Sequence, residues 1–209
     1  MKGAFMEYRI QKRTLDENGN TCWDSIPEAM ISNVCWGYDQ PDVKAKAQLC
    51  YTEEALYVKL SAMEKDIRAE HKGIYGMPCE DSCLEFFFAP GGGGRYFNIE
   101  LNPNCAMYFG IGTGPKDLYR LHVEGHDDNL LCPQAERTED GWYVTYAVPF
   151  SLVQFFFPEF CAKEGTVMKG NFYKCGDLTV KEHYLSWNEM TVDHPCFHYP
   201  PDFGTLVFD

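Results

Sequence analysis

Residues 80 to 102, EDSCLEFFFAPGGGGRYFNIELN, constrain the fold of this chain more than any other stretch. An apolar run, four glycines and an alternating polar and apolar run stand in direct succession. A phosphate-binding loop would need GxxxxGK[ST] leading into a helix. Here Gly94 leads instead into RYFNIEL, which has strand character and no Lys-Ser or Lys-Thr. A free linker is equally at odds with two apolar runs close enough to pair, so the glycines are predicted to form the tip of a β-hairpin.

The demand that apolar residues share one face fixes the register of this hairpin. Pairing Phe88 with Phe97, Phe86 with Ile99 and Leu84 with Leu101 puts all six on the core side and leaves residues 90 to 95 as the loop. The opposite face then carries Phe87 across from Asn98, Glu85 across from Glu100, and Cys83 across from Asn102. Two carboxylates facing each other at about 5 Å between Cβ atoms repel, so something must compensate. The candidates are a nearby Arg such as Arg95 or Arg120, a Ca²⁺ held by Glu85 and Glu100, a shared proton, or a ligand whose hydroxyls donate to the acids.

The same alternation recurs at 44 to 51, 56 to 63, 105 to 111, 119 to 123, 142 to 148, 171 to 175 and 203 to 208. With the hairpin this makes about ten short strands in one domain over residues 1–209. The expected fold is all-β: a two-sheet antiparallel β-sandwich of immunoglobulin-like or jelly-roll type. At most one short helix is expected, at 149 to 157 between Pro149 and Pro158. Trp142 alternates with Val144, Tyr146 and Val148 and is assigned to the core. Residues 64 to 80 lack alternation and read as a long loop, a common carrier of binding residues.

Charge narrows the range of partners. At a formal net charge of −13 the chain repels nucleic acid and anionic membranes. No apolar run approaches the ~20 residues that span a bilayer, and the N-terminus MKGAFMEYRIQKR lacks the apolar centre of a signal peptide. The ten cysteines are scattered without a CxxC pair and read as reduced thiols, so a cytoplasmic location is expected. His194, Cys196 and His198 alternate within DHPCFHYP, with His183 nearby in sequence. A same-face strand triad rarely converges on zinc, and packing or hydrogen-bonding roles are preferred for them.

Several quoted segments resemble carbohydrate-binding module family 9. They are Trp23-Asp24-Ser25-Ile26-Pro27, LYVKL, EDSCLEFFFAP with YFNIELN, GWYVTYAVPFSL, and NFYKCGD, HYLSWNEM and FHYPPDFGTLVF, spread over residues 22 to 209. The resemblance implies a β-sandwich that binds sugars without catalysis, often appended to xylan- or cellulose-degrading enzymes and able to carry structural Ca²⁺. It implies that two Trp rings clamp a terminal sugar while a Glu holds its hydroxyls. Glu85 matches that Glu. The Trp expected six residues earlier is Cys79 here, which removes one wall of the clamp. Trp187 is the expected counterpart of the second Trp, and Tyr75 a substitute for the missing wall.

The sugar-binding set expected from this reading is Trp187, Glu85, Asn98, Glu100 and Tyr75, with a sugar or oligosaccharide as ligand and a glycoside hydrolase as partner. Two other readings compete with it. The Glu85 and Glu100 pair could serve a glycosidase, since retaining enzymes hold two carboxyls about 5 to 5.5 Å apart. Alternatively, the aromatic strip could bind a protein while the sugar slot is vestigial.

Overall fold

A computed structural model describes residues 5–17, 19–39, 42–91, 94–122 and 131–209. The hairpin forms in the register its apolar residues demand, with Leu84, Phe86 and Phe88 opposite Leu101, Ile99 and Phe97, and Glu85 opposite Glu100. Its strands are Cys83–Ala89 and Tyr96–Leu101, so residues 90 to 95 connect them.

In chain order the strands are β1 Glu7–Lys12, β2 Ala29–Ile31, β3 Asn33–Val34, β4 Lys44–Tyr51, β5 Ala55–Met63, β6 Cys83–Ala89, β7 Tyr96–Leu101, β8 Met107–Gly112, β9 Tyr119–Arg120, β10 Gln134–Arg137, β11 Gly141–Pro149, β12 Val167–Cys175, β13 Tyr184–Ser186 and β14 Gly204–Phe208. The run expected at 119 to 123 is represented by β9, and residue 123 lies outside the described residues. A single α-helix among the described residues, α1 Phe150–Phe156, falls where the two prolines bracket it. Three-residue 3-10 turns occur at Trp23–Ser25, Pro78–Glu80 and Pro200–Asp202.

The strands follow one hydrogen-bonded path: β10, β11, β5, β4, β1, β14, β12, β6, β7, β8, β9. β2 adds to β4, and β13 adds to β12 and β3. The path turns at β1, whose first four residues pair with β14 and whose last two pair with β4. Both β1 pairings are parallel, a departure from the all-antiparallel expectation; every other pairing among the described residues is antiparallel.

On either side of this turn the inner faces meet in one core. Ala47, Leu49, Val58, Leu60, Trp142 and Val144 come from one stretch, and Leu84, Phe86, Ile99, Phe172 and Leu206 from the other. This is the expected sandwich, realised as a curled sheet. The outward face of β12, β6 and β7 is covered as well. Cys83, Phe87, Tyr96, Tyr173 and Cys175 pack under Cys35, Phe197 and Phe203, which form a second buried cluster.

A polar group ties the two stretches together inside the core. The ammonium of Lys174, fully buried, donates to His183 Nε2 at 2.7 Å and to the Cys175 carbonyl at 2.9 Å, and lies 3.2 Å from Glu64 Oε2. Glu64 also accepts from the Ser82 hydroxyl at 2.9 Å and from Trp142 Nε1 at 3.2 Å. His183 Nδ1 bonds the Lys181 carbonyl at 2.8 Å. Burial first, and the Lys174 charge second, hold the His183 pKa down to about 4, so the ring is a neutral acceptor for Lys174.

Candidate functional site

The carboxylate pair derived from the hairpin register lies in the floor of a cleft. The cleft has a volume of about 280 Å³, near the lower end, about 300 Å³, of small-molecule sites. Glu85 of β6, Glu100 of β7, Tyr108 of β8, Cys175 of β12 and Tyr184 of β13 reach it from the strands. Met77 and Cys79 reach it from the 64 to 80 loop. Trp36, Asp177 and the segment Pro195 to His198 complete its walls. The loop is held in place by Asp81, whose Oδ2 accepts from the Glu70 and His71 backbone amides and from Asn102 Nδ2 at 2.7 to 3.0 Å.

Burial dominates the electrostatics of this floor. It raises the Glu85 pKa well above the usual carboxylate range, with the neighbouring Glu100 charge pushing the same way. Glu100 is pushed up to about 7 by burial, against an opposing hydrogen bond from Asn98 and the charge of Arg120. Both shifts favour the protonated forms, which eases the like-charge conflict. Arg120 hydrogen-bonds the Gly76 and Met107 carbonyls and lies over the Tyr108 ring, 4.5 Å from its centroid. Arg95 serves elsewhere, against the Phe157 ring and the Phe156 carbonyl.

Three of the five expected sugar contacts fall away from the cleft. Trp187 is 2% exposed and packs in the core, with its ring centroid 5.4 Å from Phe172. Alternation explains the correction: Tyr184 faces the cleft, Leu185 faces the core, and Trp187 follows Leu185 inward. The Trp187 ring also fills the space where a side chain at Gly204 would sit, since a Cβ there would meet Trp187 Cζ3 at 2.5 Å. Tyr75 is 73% exposed and rests against His122, outside the cleft lining. Asn98 is fully buried and acts through Glu100, to whose Oε1 its Nδ2 donates at 2.8 Å.

The aromatic wall comes from a residue the sequence reading missed. Trp36 is half-buried and lines the cleft. Its ring lies 5.3 Å from Phe197 and 5.5 Å from Tyr184, and its Nε1 donates to the Val192 carbonyl at 2.8 Å. Its φ of 55° lies in the left-handed region, a strained setting for a bulky side chain and one that recurs at functional sites. The sequence signal was the Trp36-Gly37 pair, a turn carrying a large ring.

A calcium ion at Glu85 and Glu100 does not fit the donor set. Ca²⁺ takes six to eight oxygens. Here Glu85 Oε1 faces the Cys175 thiol at 3.0 Å, Glu100 Oε1 faces an amide donor, and Cys79, Cys175 and Cys196 line the same cleft. The His194, Cys196 and His198 triad does not converge either. His194 bonds exposed Asp193, whereas His198 packs on Phe87 and shares a 2.8 Å hydrogen bond with the Tyr96 hydroxyl. His183 belongs to the buried lysine network.

The pattern of carbohydrate-binding family 9 matches residues 21–208. No curated protein matches the chain. A solved protein from Bacteroides uniformis ATCC 8492, whose proposed role is carbohydrate binding, superposes with a TM-score of 0.84 at 24% identity, over 99% of this chain and 100% of that one. A family 9 carbohydrate-binding module from Caldicellulosiruptor kristjanssonii in complex with glucose gives a TM-score of 0.69 at 12% identity, over 98% of this chain and 96% of that one. The module from the same organism with cellotriose gives 0.67 at 12% identity, over 97% and 93%. These similarities share the fold, and the family pattern spans nearly the whole sequence: the chain belongs to carbohydrate-binding family 9.

Proposed function

We propose that this chain is a non-catalytic carbohydrate-binding domain whose cleft takes a monosaccharide or the end of a sugar chain. The observation that carries the reading is the placement of the Trp36 ring in one cleft with Glu85 and Glu100. A pyranose presents an apolar C–H face that stacks on an indole and a rim of hydroxyls that needs both donors and acceptors. A carboxyl that keeps its proton supplies both. Tyr108 and Tyr184 add hydroxyl-bearing rings to the same lining. The relatives with bound glucose and cellotriose make β-glucosyl units the first ligands to test.

Binding is favoured over glycoside hydrolysis by the way the acids project. Glu85 and Glu100 leave the same face of adjacent strands side by side, whereas a glycosidase pair flanks the scissile bond. Burial, with the Glu100 charge acting the same way, also raises the Glu85 pKa and so works against the charged form a nucleophile needs. A glycoside hydrolase acting on the same sugar is the proposed partner.

The test is a thermal-shift panel of glucose, cello-oligosaccharides and xylo-oligosaccharides, with an aryl-glycoside hydrolysis assay alongside. Ligand at 100 times its dissociation constant adds about 2.7 kcal/mol, a visible shift. A sugar-dependent shift without turnover is expected. Turnover abolished by Glu85→Gln would transfer the site to the hydrolase reading, and a flat panel would remove the sugar from it.

A further inference from the structure

Within the cleft floor, β6 and β12 bring together three side chains whose chemistry differs from that of a sugar site. Cys83 and Cys175 are direct cross-strand partners, and Glu85 stands two residues along β6 on the same face. Their two sulfurs and a carboxylate oxygen all lie within 4.8 Å of one another, with Cys175 Sγ 3.0 Å from Glu85 Oε1. All three are buried, at 0%, 2% and 3% exposure for Cys83, Cys175 and Glu85. We propose that Cys83, Cys175 and Glu85 form a binding site for a borderline-soft divalent transition metal ion, Zn²⁺ being the ion whose coordination they match.

Distances and donor types both support this assignment. Zinc bonds sulfur at about 2.3 Å and carboxylate oxygen at about 2.0 to 2.2 Å, which puts tetrahedral ligand atoms about 3.5 to 3.8 Å apart. The set needs to contract by only about 1 Å at its widest. Two paired strands hold it, so no loop has to fold around the ion. Two thiols and one carboxylate are zinc donors, whereas the same set is poor for Ca²⁺ or Mg²⁺.

The burial of Glu85 is a second argument. A carboxyl group buried to 3% exposure beside two thiols is a costly way to fill space, and an apolar side chain would pack there more cheaply. As metal–ligand bonds form, the protons of the ligands leave to solvent. Two thiolates and a carboxylate on a divalent ion then total one negative charge, partly offset by the Lys174 ammonium, which bonds the Cys175 carbonyl from the core side of β12. Glu85 and Cys175 both line the cleft, which gives the ion an entry path and leaves a fourth position for water. Cys79 stands beside that position, its carbonyl 3.8 Å from Cys175 Sγ. The inference uses Glu85 but does not depend on sugar binding, because every readout below is taken without sugar.

The experiment uses the full chain, reduced with a phosphine and stripped with a chelator, then titrated with Co²⁺ and back-titrated with Zn²⁺. One equivalent of Co²⁺ with thiolate-to-cobalt charge-transfer absorption is expected, bleached by one equivalent of Zn²⁺. Glu85→Gln should weaken Co²⁺ binding about tenfold or more with the circular dichroism spectrum unchanged, and Cys83→Ser with Cys175→Ser should abolish the charge-transfer band. Cys161→Ser, at an exposed thiol, should leave the titration unaltered. Should the serine variants fail to fold, zinc X-ray absorption on the wild-type chain decides, with two sulfur scatterers at about 2.3 Å expected. A first shell of oxygen and nitrogen alone, or a charge-transfer band that survives in the double serine variant, overturns the proposal.

Discussion

Replacing Glu64 in the buried lysine network should be among the most damaging single changes available in this fold. Lys174 Nζ has three sets of partners: the Glu64 carboxylate at 3.2 Å, His183 Nε2 at 2.7 Å and the Cys175 carbonyl at 2.9 Å. With Lys174 at 0% exposure and Glu64 at 3%, neither charge has water to fall back on. Removing one member of such a pair leaves an uncompensated buried charge, at a cost of about 3 to 5 kcal/mol. For a chain of this size each kcal/mol moves the melting temperature by about 2 to 4 °C, so Glu64→Leu and Lys174→Met should each lower it by about 6 to 20 °C.

The double variant is the informative one. It removes both charges together and should recover about 2 kcal/mol or more relative to the sum of the single losses. Recovery stays incomplete, because Trp142 Nε1 and the Ser82 hydroxyl then lose their acceptor. The assay is urea unfolding of the wild type, the two singles and the double, followed by tryptophan fluorescence. Additive losses, or single losses below about 1 kcal/mol, would refute the assignment of this network as a coupled cross-tie.

Three further outcomes follow from the same structure. Glu100, pushed up to about 7, binds its proton more tightly folded than unfolded, where a Glu titrates near about 4.3; its contribution is complete below that value and is lost as pH rises through 7. His183 and His198, held down to about 4 against about 6.5 unfolded, act in the opposite sense, contributing above pH 6.5 and losing that contribution as pH falls toward 4. Glu100→Gln should therefore be more stable than wild type at pH 8 by about 3 kcal/mol and should lose stability more steeply on acidification, and parallel pH profiles in denaturant melts would contradict this. Gly204→Ala, whose Cβ would meet Trp187 Cζ3 at 2.5 Å and the Met6 carbonyl at 2.9 Å, should cost about 1 to 3 kcal/mol in thermal melts, and a neutral result would contradict the core placement of Trp187. Cys79→Trp places a second ring in the cleft lining and should tighten sugar binding by about 1 kcal/mol, roughly fivefold, by calorimetry; unchanged affinity would deny that Cys79 is the missing wall.

The central hairpin was legible because a one-residue slip would have turned one strand's three apolar side chains away from those of its partner, so sequence alone selected the register. The helix was legible because two prolines bracket it. β1 went unread although Tyr8 and Ile10 alternate inward, since its partners lie about 40 and 200 residues further along the chain and both pairings are parallel. β2, β3 and β13 have two or three residues each, too few for periodicity to register.

In the site, Glu85 and Glu100 followed directly from the hairpin register, while the aromatic wall did not. Trp36 reaches the cleft because β3 pairs with β13 and because Phe197 and Tyr184 hold its ring, contacts between segments some 150 residues apart. Trp187 was placed in the cleft by analogy, although alternation through Tyr184, Leu185 and Ser186 already assigned it to the core.

The claim that this cleft binds sugar against Trp36 is tested most directly by calorimetric titration of cellotriose and glucose into the wild type, Trp36→Ala and Gly204→Ala. The account predicts saturable binding in the wild type, its weakening by roughly fivefold or more in Trp36→Ala at about 1 kcal/mol or more of lost stacking and contact, and wild-type affinity in the folded fraction of Gly204→Ala. Equal affinity in the wild type and Trp36→Ala would contradict it.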